Sequence, residues 1–173
     1  LSGGGVTGGN IALGSGGGAL TISQRTYGEY AGVISGTGSF TKSGPASLKL
    51  SNTNTYSGNT ILSGGEIILG VSNALPTTSA VSFTGASTKI LMLDENISQT
   101  IASLSSTSGL SNVSIFGYGG YINNSFTVSQ SGNSTFYGDF GGDLTFVKAG
   151  GGTLTLPGNR GSATVSVTGG AVN

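Results

Sequence analysis

Short runs in which every second residue is hydrophobic recur along the whole chain. They include the pairs Leu20/Ile22, Leu48/Leu50, Phe126/Val128, Leu154/Leu156 and Val165/Val167. Alternation with a period of two, bounded by Gly, Asn and Ser, is typical of half-buried β-strands. We find no segment with the periodicity of an amphipathic helix. The pattern therefore predicts an all-β chain.

Two segments of the chain repeat one another. Residues 36–52 align with residues 142–159 at an offset of 106 positions through most of their length. A second strand-like run that ends in a Gly pair follows each segment. The matched positions are Gly36/Gly142, Phe40/Phe146, Lys42/Lys148, Gly44/Gly150, Leu48/Leu154 and Leu50/Leu156. Such recurrence indicates a repeat architecture, in which each unit buries its apolar side only against its neighbours.

A shorter spacing within the first copy gives the size of one structural unit. Gly44 and Gly65 lie 21 residues apart, and each precedes an apolar run. This spacing predicts a three-strand coil, and coils stacked about 4.8 Å apart pair every strand with the coils on both sides. We therefore expect a single parallel β-helix (β-solenoid) over residues 1–173, with roughly 20 residues per coil, about eight coils and a length on the order of 40 Å. Inward-pointing Leu, Ile, Val and Phe should form one column along its axis.

Composition and charge narrow the range of functions. The chain has 34 Gly, no Cys, no His and only 7% charged residues, and its six basic and six acidic residues cancel. Zero net charge removes the positive patch expected of a protein that binds nucleic acid or an anionic membrane. We predict neither a membrane span nor a signal peptide in this segment. The start at Leu1 suggests a fragment, and the lack of Cys fits export as an unfolded chain.

The first repeat copy resembles a known family. Residues 32–70 have the sequence GVISGTGSFTKSGPASLKLSNTNTYSGNTILSGGEIILG. This segment is similar to the autotransporter-associated β-strand repeat of bacterial passenger domains, including its T-K-x-G and N-T-Y-x-G elements. Residues 138–173 resemble a second copy without the N-T-Y-x-G element, and the coils between the copies are divergent. The resemblance implies a right-handed β-helix, an extracellular or cell-surface location, and no intrinsic chemistry.

Motifs for catalysis or for ligand binding are sparse. GGGVTG at residues 3–8 fits G-x-G-x-x-G, but strand-like sequence follows it where a dinucleotide site needs a helix. The lack of His excludes a Ser-His-Asp triad, and zinc loses both of its preferred ligands. Asp139 and Asp143 lie in GDFGGD, yet the calcium-binding nonapeptide recurs in tandem and this segment does not. We therefore predict no catalytic residue, no cofactor and no metal.

A polysaccharide-cleaving enzyme is the enzymatic alternative for a β-helix. Such a site needs clustered carboxylates that act as acid and base. The acidic residues available are Glu29, Glu66, Asp94, Glu95, Asp139 and Asp143. Asp94 and Glu95 are adjacent, so on a strand they would point to opposite faces. Stacking of coils could still unite distant carboxylates.

Two aromatic residues are the candidates for binding a partner. Tyr118 and Tyr121 lie in the Gly-rich segment FGYGGYINNSF. Exposed rings there could stack on a glycan or a protein of the host or another surface, or they could instead cap or fill an end of the solenoid. We keep Tyr118 and Tyr121 as candidate partner-binding residues.

The pattern as a whole favours a structural or adhesive function outside the cell. We expect a stalk or adhesive segment of an autotransporter-type bacterial surface protein, without catalysis. The main alternative is the subunit of an extracellular filament, in which copies associate through the solenoid ends. The unpaired strand edges at such ends are the physical basis of that alternative.

Overall fold

The computed structural model describes residues 9–109, 112–120, 123–158, 161 and 163–173. These residues form twenty short β-strands and no helix, so none of them forms a helix that could cross a membrane. The all-β prediction is confirmed. The strands are β1 (Ile11–Ala12), β2 (Ala19–Ser23), β3 (Gly28–Tyr30), β4 (Ile34–Ser35), β5 (Ser39–Ser43), β6 (Ser47–Leu50), β7 (Thr60–Leu62), β8 (Gly65–Leu69), β9 (Ala80–Phe83), β10 (Lys89–Leu93), β11 (Ser98–Ile101), β12 (Ser103–Ser106), β13 (Val113–Gly117), β14 (Asn124–Ser129), β15 (Ser134–Thr135), β16 (Asp139–Gly142), β17 (Leu144–Ala149), β18 (Thr153–Thr155), β19 (Thr164–Val167) and β20 (Ala171–Val172).

The strands build three faces that the chain visits in turn. Face 1 contains β2, β5, β7, β9 and β12, and continues in β15, β18 and β20. Face 2 contains β3, β6, β8, β10, β13 and β16, and face 3 contains β1 and β4, then β11, β14, β17 and β19. Every strand pair in the described part of the chain is parallel. The chain is therefore a parallel β-solenoid of about eight turns, as predicted.

Non-strand backbone completes face 3 between β4 and β11. Asn54 bridges three coils there, because its Oδ1 accepts from the Ile34 N–H at 2.7 Å and its Nδ2 donates to the Ala74 carbonyl at 2.7 Å. Asn54 is buried, so these two bonds replace the solvation that its amide has lost. The N-T-Y-x-G element thus has a structural role at this corner of the solenoid.

The coils differ in length between the repeat copies and the middle of the rod. Phe40 pairs with Thr60 and Ser125 pairs with Thr145, each 20 positions on. Ser98 instead pairs with Ser125, 27 positions on. The predicted 20-residue coil thus holds for the repeat copies, whereas the divergent coils between them carry longer turns.

The core is a column of inward-pointing apolar side chains, as expected from the alternation. Four phenylalanines cluster at its centre, with ring centroids 5.5 Å apart for the tilted pair Phe83–Phe136, 5.3 Å for the tilted pair Phe136–Phe140 and 4.3 Å for the stacked pair Phe140–Phe146. All four rings are at most 1% exposed. Burial of each such side chain contributes about 1.5–3 kcal/mol. Phe136, Phe140 and Phe146 lie on the three faces in turn and meet across the core, and Phe83 joins them from an earlier coil of face 1. The cluster thus ties the middle of the rod to the second repeat copy.

The two repeat copies lie on different faces. In the first copy, β5 and β7 belong to face 1 while β6 and β8 belong to face 2. In the second copy, β17 and β19 belong to face 3 while β18 and β20 belong to face 1. The repeat therefore specifies a pair of strands and the corner between them, and not a fixed face of the solenoid.

A glycine at the repeated corner supplies a test of the coil-to-coil contact. Gly150 has a φ of 74°, and a Cβ there would lie 2.4 Å from the Gln130 carbonyl oxygen of the preceding coil. We expect Gly150→Ala to lower the free energy of unfolding by about 2 kcal/mol or more, because the left-handed conformation alone costs about 1–2 kcal/mol. Urea denaturation followed by circular dichroism measures the loss.

The adjacent residue provides the matched control. A Cβ on Gly151 would meet nothing within 4 Å. Gly151→Ala should therefore change the free energy of unfolding by less than about 0.5 kcal/mol. Equal effects of the two substitutions would contradict the close approach of the coils at this corner.

Candidate interaction surface

Tyr118 lies on the outside of face 2, directly after β13. Its side chain is 52% exposed, and its N–H donates to the Leu93 carbonyl at 2.9 Å. The buried amide of Asn124 holds the Tyr118 backbone, because Nδ2 donates to the Tyr118 carbonyl at 3.0 Å while Oδ1 accepts from the Ile97 N–H at 2.8 Å. The other candidate, Tyr121, lies outside the described residues. A binding role for Tyr118 stays a prediction at this point.

The register of face 2 aligns apolar side chains in a column along the rod. Ile68 pairs with Met92, and Met92 pairs with Phe116. All three point outward: Phe116 is 39% exposed and the other two are half-buried. The Phe116 ring lies over Gly141 of the next coil, where a Cβ would come within 3.2 Å of it. The glycine thus lets the ring lie flat along the axis.

All six acidic residues of the chain lie on face 2 or in the two residues after one of its strands. Glu29 is in β3, Glu66 is in β8 and Asp139 is in β16. Asp94 and Glu95 follow β10, and Asp143 follows β16. The sequence left open whether coil stacking would bring distant carboxylates together. Coil stacking places them on one side of the molecule.

One of these carboxylates forms an ion pair. Lys49 Nζ lies 2.8 Å from Asp94 Oδ2, two coils away. The lysine side chain passes over Gly70, where a Cβ would lie 2.6 Å from its Cε. The hydrogen bond raises the pKa of Lys49 and lowers the pKa of Asp94. Both side chains keep partial solvent contact, so the pair is worth about 0–1 kcal/mol.

Three other lysines are buried inside the solenoid, which the sequence analysis did not foresee. Lys42, Lys89 and Lys148 are each 0% exposed, at inward positions of β5, β10 and β17. Burial lowers the pKa of all three ammonium groups. The sequence carries two signals for Lys42 and Lys148. Each lies two positions after an inward phenylalanine, Phe40 or Phe146, and the two lysines occupy equivalent positions in the repeat copies.

Each buried ammonium group is bonded to backbone carbonyls at a corner. Lys42 Nζ donates to the carbonyls of Ser43 at 2.7 Å, Gly44 at 3.1 Å and Gly64 at 3.1 Å. Lys148 makes the equivalent bonds to Ala149, Gly150 and Gly169. Lys89 donates to Gly85 and Ser87. Among the described residues no buried side-chain N or O atom lacks a partner.

Burial of these lysines changes the surface charge. Of the six basic residues, three are buried and Arg160 lies outside the described residues. Arg25, before β3, and Lys49 are the two basic side chains at the described surface. Face 2 therefore presents an excess of carboxylates although the chain has no net charge.

A groove runs beside the apolar column of face 2. Its larger part, about 540 Å³, is lined by Glu66 and Ile90 together with Pro45 and the hydroxyls of Ser and Thr residues at the corner. Its smaller part, about 200 Å³, shares Ile90 and ends at Asp139. The groove therefore has a carboxylate toward each end and an isoleucine between them. In the part of the chain that the structure describes, no three acidic side chains come together as a metal site would require.

Comparison with known proteins identifies the repeats. The passenger-associated-transport-repeat family matches residues 40–69 and 146–173. The Adhesin BmaC autotransporter of Brucella suis biovar 1 (strain 1330) is 46% identical over an alignment of 68 residues, and the match covers 38% of this chain and 2% of that protein. The chain thus spans a very small part of this relative. No solved structure matches the chain.

The buried lysines yield a prediction about stability. Lys42→Met should lower the free energy of unfolding by about 1–3 kcal/mol, because the carbonyls of Gly44 and Gly64 lose the donor that links two consecutive coils. Lys49→Met, the solvent-exposed control, should cost at most about 1 kcal/mol. Urea denaturation of both variants measures the difference. If Lys42→Met lowers the free energy of unfolding no more than the control does, the stabilising role of the Lys42 hydrogen bonds is contradicted.

The lowered pKa of Lys42 also predicts how the free energy of unfolding depends on pH. The pKa of Lys42 is lowered from the ordinary 10.5 by burial, so the folded chain releases this proton at a lower pH than the unfolded chain does. Between the two pKa values the unfolded chain binds more protons, and the free energy of unfolding rises with pH. The stability advantage of the wild type over Lys42→Met should therefore grow as the pH is raised toward 10.5.

Paired urea titrations at several alkaline pH values test this. Ionisation of Tyr56, whose pKa is raised by burial, lowers stability above its ordinary value of 10.0 in both proteins and cancels in the comparison. An advantage that shrinks with rising pH would mean that the carbonyl bonds outweigh desolvation of the ammonium group.

Proposed function

We propose that this chain, which carries two copies of the passenger-associated-transport-repeat, is a structural and adhesive segment of an extracellular passenger. In this role it would form part of a rod at the bacterial surface and present one of its faces to a partner. The observation that carries the proposal is the stack of parallel coils that contains both repeat copies. The activity and partners of the whole protein are part of the proposal, since the chain covers only 2% of its relative.

The stacked coils support the structural part of the proposal. Hydrogen bonds that run along the rod join each coil to the next on its paired faces, so the several bonds between two coils share a pull along the axis. Outward positions on face 1 align hydroxyl side chains, as in the column Thr21–Thr41 and the column Ser23–Ser43. Such a surface is uncharged and largely polar, which suits a spacer that binds little along most of its circumference.

Face 2 supports the adhesive part. It combines the exposed rings of Phe116 and Tyr118 with the carboxylates and with the groove. The relative is named as an adhesin, and a binding role for the present chain follows only as an inference from that similarity. We propose Tyr118 as a contact residue, and Tyr121, three positions on, as a second one.

The proposal assigns no catalysis to the chain. Asp94 forms an ion pair with Lys49, and Glu66 accepts a hydrogen bond from Ser47 Oγ. A glycoside-cleaving site instead needs two carboxylates that flank one bond of the substrate. The carboxylates of the groove, Glu66 and Asp139, are three strands apart on face 2, or about 14 Å at the usual strand spacing.

Surface display tests the proposed function. The chain would be fused to an autotransporter translocator and expressed in a bacterium, with a Gly/Ser linker of equal length as the control. We expect the chain to reach the surface, to resist added protease as a folded rod should, and to increase adhesion of the cells to protein-coated wells. The linker should be displayed but cleaved, and should not promote adhesion.

The purified chain distinguishes the filament alternative. Single particles about 40 Å long in electron microscopy are expected for a passenger segment of about eight coils. Extended filaments at the same concentration would favour a fibre subunit, and a chain that is displayed but digested as fast as the linker would contradict the proposed rod.

A further inference from the structure

The floor of the groove is one column of outward side chains on face 2. Glu66 pairs with Ile90. Ile90 in turn pairs with Ser114, which pairs with Asp139. The four residues lie in consecutive coils, so the column follows the axis of the rod and its two carboxylates are about 14 Å apart at the usual strand spacing. A continuous cleft therefore crosses four coils.

Neutral polar groups line the side of the groove at the corner between faces 1 and 2. The hydroxyls of Ser63, Ser87 and Thr88 lie there in two consecutive coils, and Asn112 extends the row into the next coil. Pro45 adds an apolar surface at one end. A hydroxyl or an amide can both donate and accept a hydrogen bond. Among the described residues, the two carboxylates are therefore the charged side chains that line the groove, and the rest of its polar lining bonds in both directions.

Two buried ammonium groups lie behind this lining. Lys42 Nζ donates to the carbonyls of Gly44 and Gly64, each at 3.1 Å. Lys89 Nζ donates to the Ser87 carbonyl. Gly44, Gly64 and Ser87 all line the groove, whereas both lysine side chains are 0% exposed. An occupant would therefore experience the field of these two charges without touching them.

The charges around the groove balance. Burial lowers the pKa of Lys42, and the nearby Glu66 carboxylate acts against this shift, so the two groups attract one another. Ser47 Oγ donates to Glu66, which fixes the carboxylate before any occupant arrives. Two carboxylates on the groove and two ammonium groups behind it add up to no net charge. A cationic occupant would gain little there and an acidic one would meet carboxylate oxygens, so the groove favours an uncharged occupant.

The hydrogen-bonding groups of the groove fit a sugar. A carboxylate only accepts hydrogen bonds, so an occupant must bring donors to the two ends, at Glu66 and Asp139. A sugar ring carries hydroxyls that donate and accept around its rim, and its C–H groups can pack on Ile90 and Pro45. A peptide backbone has one donor per residue, which makes a neutral peptide a poorer match. One ring cannot reach both carboxylates across about 14 Å, so the occupant has several rings in a row.

We propose that the groove of face 2 binds an uncharged, extended oligosaccharide that lies along the rod. A β-1,4-linked glucose chain is straight, as the column from Glu66 to Asp139 is, whereas an α-1,4-linked chain curls. In this arrangement Lys42 and Lys89 have a second role, because they offset the charge of the carboxylates that accept the sugar hydroxyls. The inference rests on the proposed function, since it names the class of partner for the adhesive face.

A binding measurement with the purified chain tests the inference. The probe is cellohexaose, a β-1,4-linked glucose oligomer, with an uncharged fluorescent label at one end and fluorescence anisotropy as the readout. We expect saturable binding that persists in about 1 M salt, where the Debye length is about 3 Å, because the ligand carries no charge. Maltohexaose, which is α-1,4-linked, and cellobiose, which is too short to reach both carboxylates, should bind about tenfold more weakly. An acidic hyaluronan oligosaccharide should not bind.

Matched variants locate the site on the molecule. Glu66→Gln should raise the Kd for cellohexaose by about tenfold, because a hydrogen bond to a charged acceptor is lost. Glu29→Gln is the control, since Glu29 also lies on face 2 and accepts a hydrogen bond from a serine, Ser51, but lies in β3 outside the groove. This control should leave the Kd unchanged.

A second pair of variants blocks the groove. Ser114→Tyr places a bulky ring on its floor and should abolish binding. Ser125→Tyr places the same ring on face 3 of the same coil and should leave the Kd unchanged. Circular dichroism and urea midpoints show whether each variant is folded. If a tyrosine variant does not fold, the two glutamine variants still decide.

Three results would overturn the inference. These are no saturable binding of cellohexaose, equal Kd values for Glu66→Gln and Glu29→Gln, or tighter binding of hyaluronan or of a neutral Gly/Ser peptide than of cellohexaose. Any of them, obtained with a chain that is displayed, protease-resistant and adhesive, would leave the proposed function intact. Failure of display would instead bear on the proposed function alone.

Discussion

A strand in the middle of this rod has a parallel neighbour about 4.8 Å away on each edge, and this lateral pairing constrains the rest of the structure. Side chains at paired positions lie directly above one another. Each column therefore favours residue types that pack well against residues of the same type. Inside, this gives columns such as Phe126, Phe146 and Val165 on face 3. Outside, it gives rows of hydroxyls on faces 1 and 3. Regularity ends at the corners, where the chain turns and side chains also bond to backbone carbonyls such as those of Gly44 and Gly64.

The corners explain why a chain with so few charges buries half of its basic residues. A lysine ammonium group has three donors, and the Lys42 group meets three corner carbonyls from two consecutive coils. A neutral amide does similar work elsewhere, since Gln130 Nε2 donates to the carbonyls of Gly132 and Thr153. Burial of the charge is costly, but it also removes positive charge from the surface. Net charge taken from composition therefore misrepresents what a partner would meet.

Features that depend on neighbouring residues in sequence could be predicted, whereas features that depend on register between coils could not. Alternation of Leu48 and Leu50, and the spacing of Gly44 and Gly65, predicted strands, corners and coil size. The shift of the second repeat copy by one face was not predicted, because it depends on the added lengths of irregular coils such as the one from Ser98 to Ser125. Glu66 and Asp139 are 73 positions apart, so their place on one groove depends on the same lengths.

The same pairing that makes the rod regular also fixes the side chains of face 2, the face proposed to bind. A side chain on a paired strand has little freedom to move away, and Phe116 is further fixed by lying over Gly141 of the next coil. The Tyr118 backbone is held by the buried amide of Asn124, so the exposed ring extends from a rigid support. A preorganised surface loses little conformational entropy when a partner docks, and more of the contact energy remains as affinity. In this solenoid, stiffness along the axis and readiness of one face to bind therefore have a common physical origin.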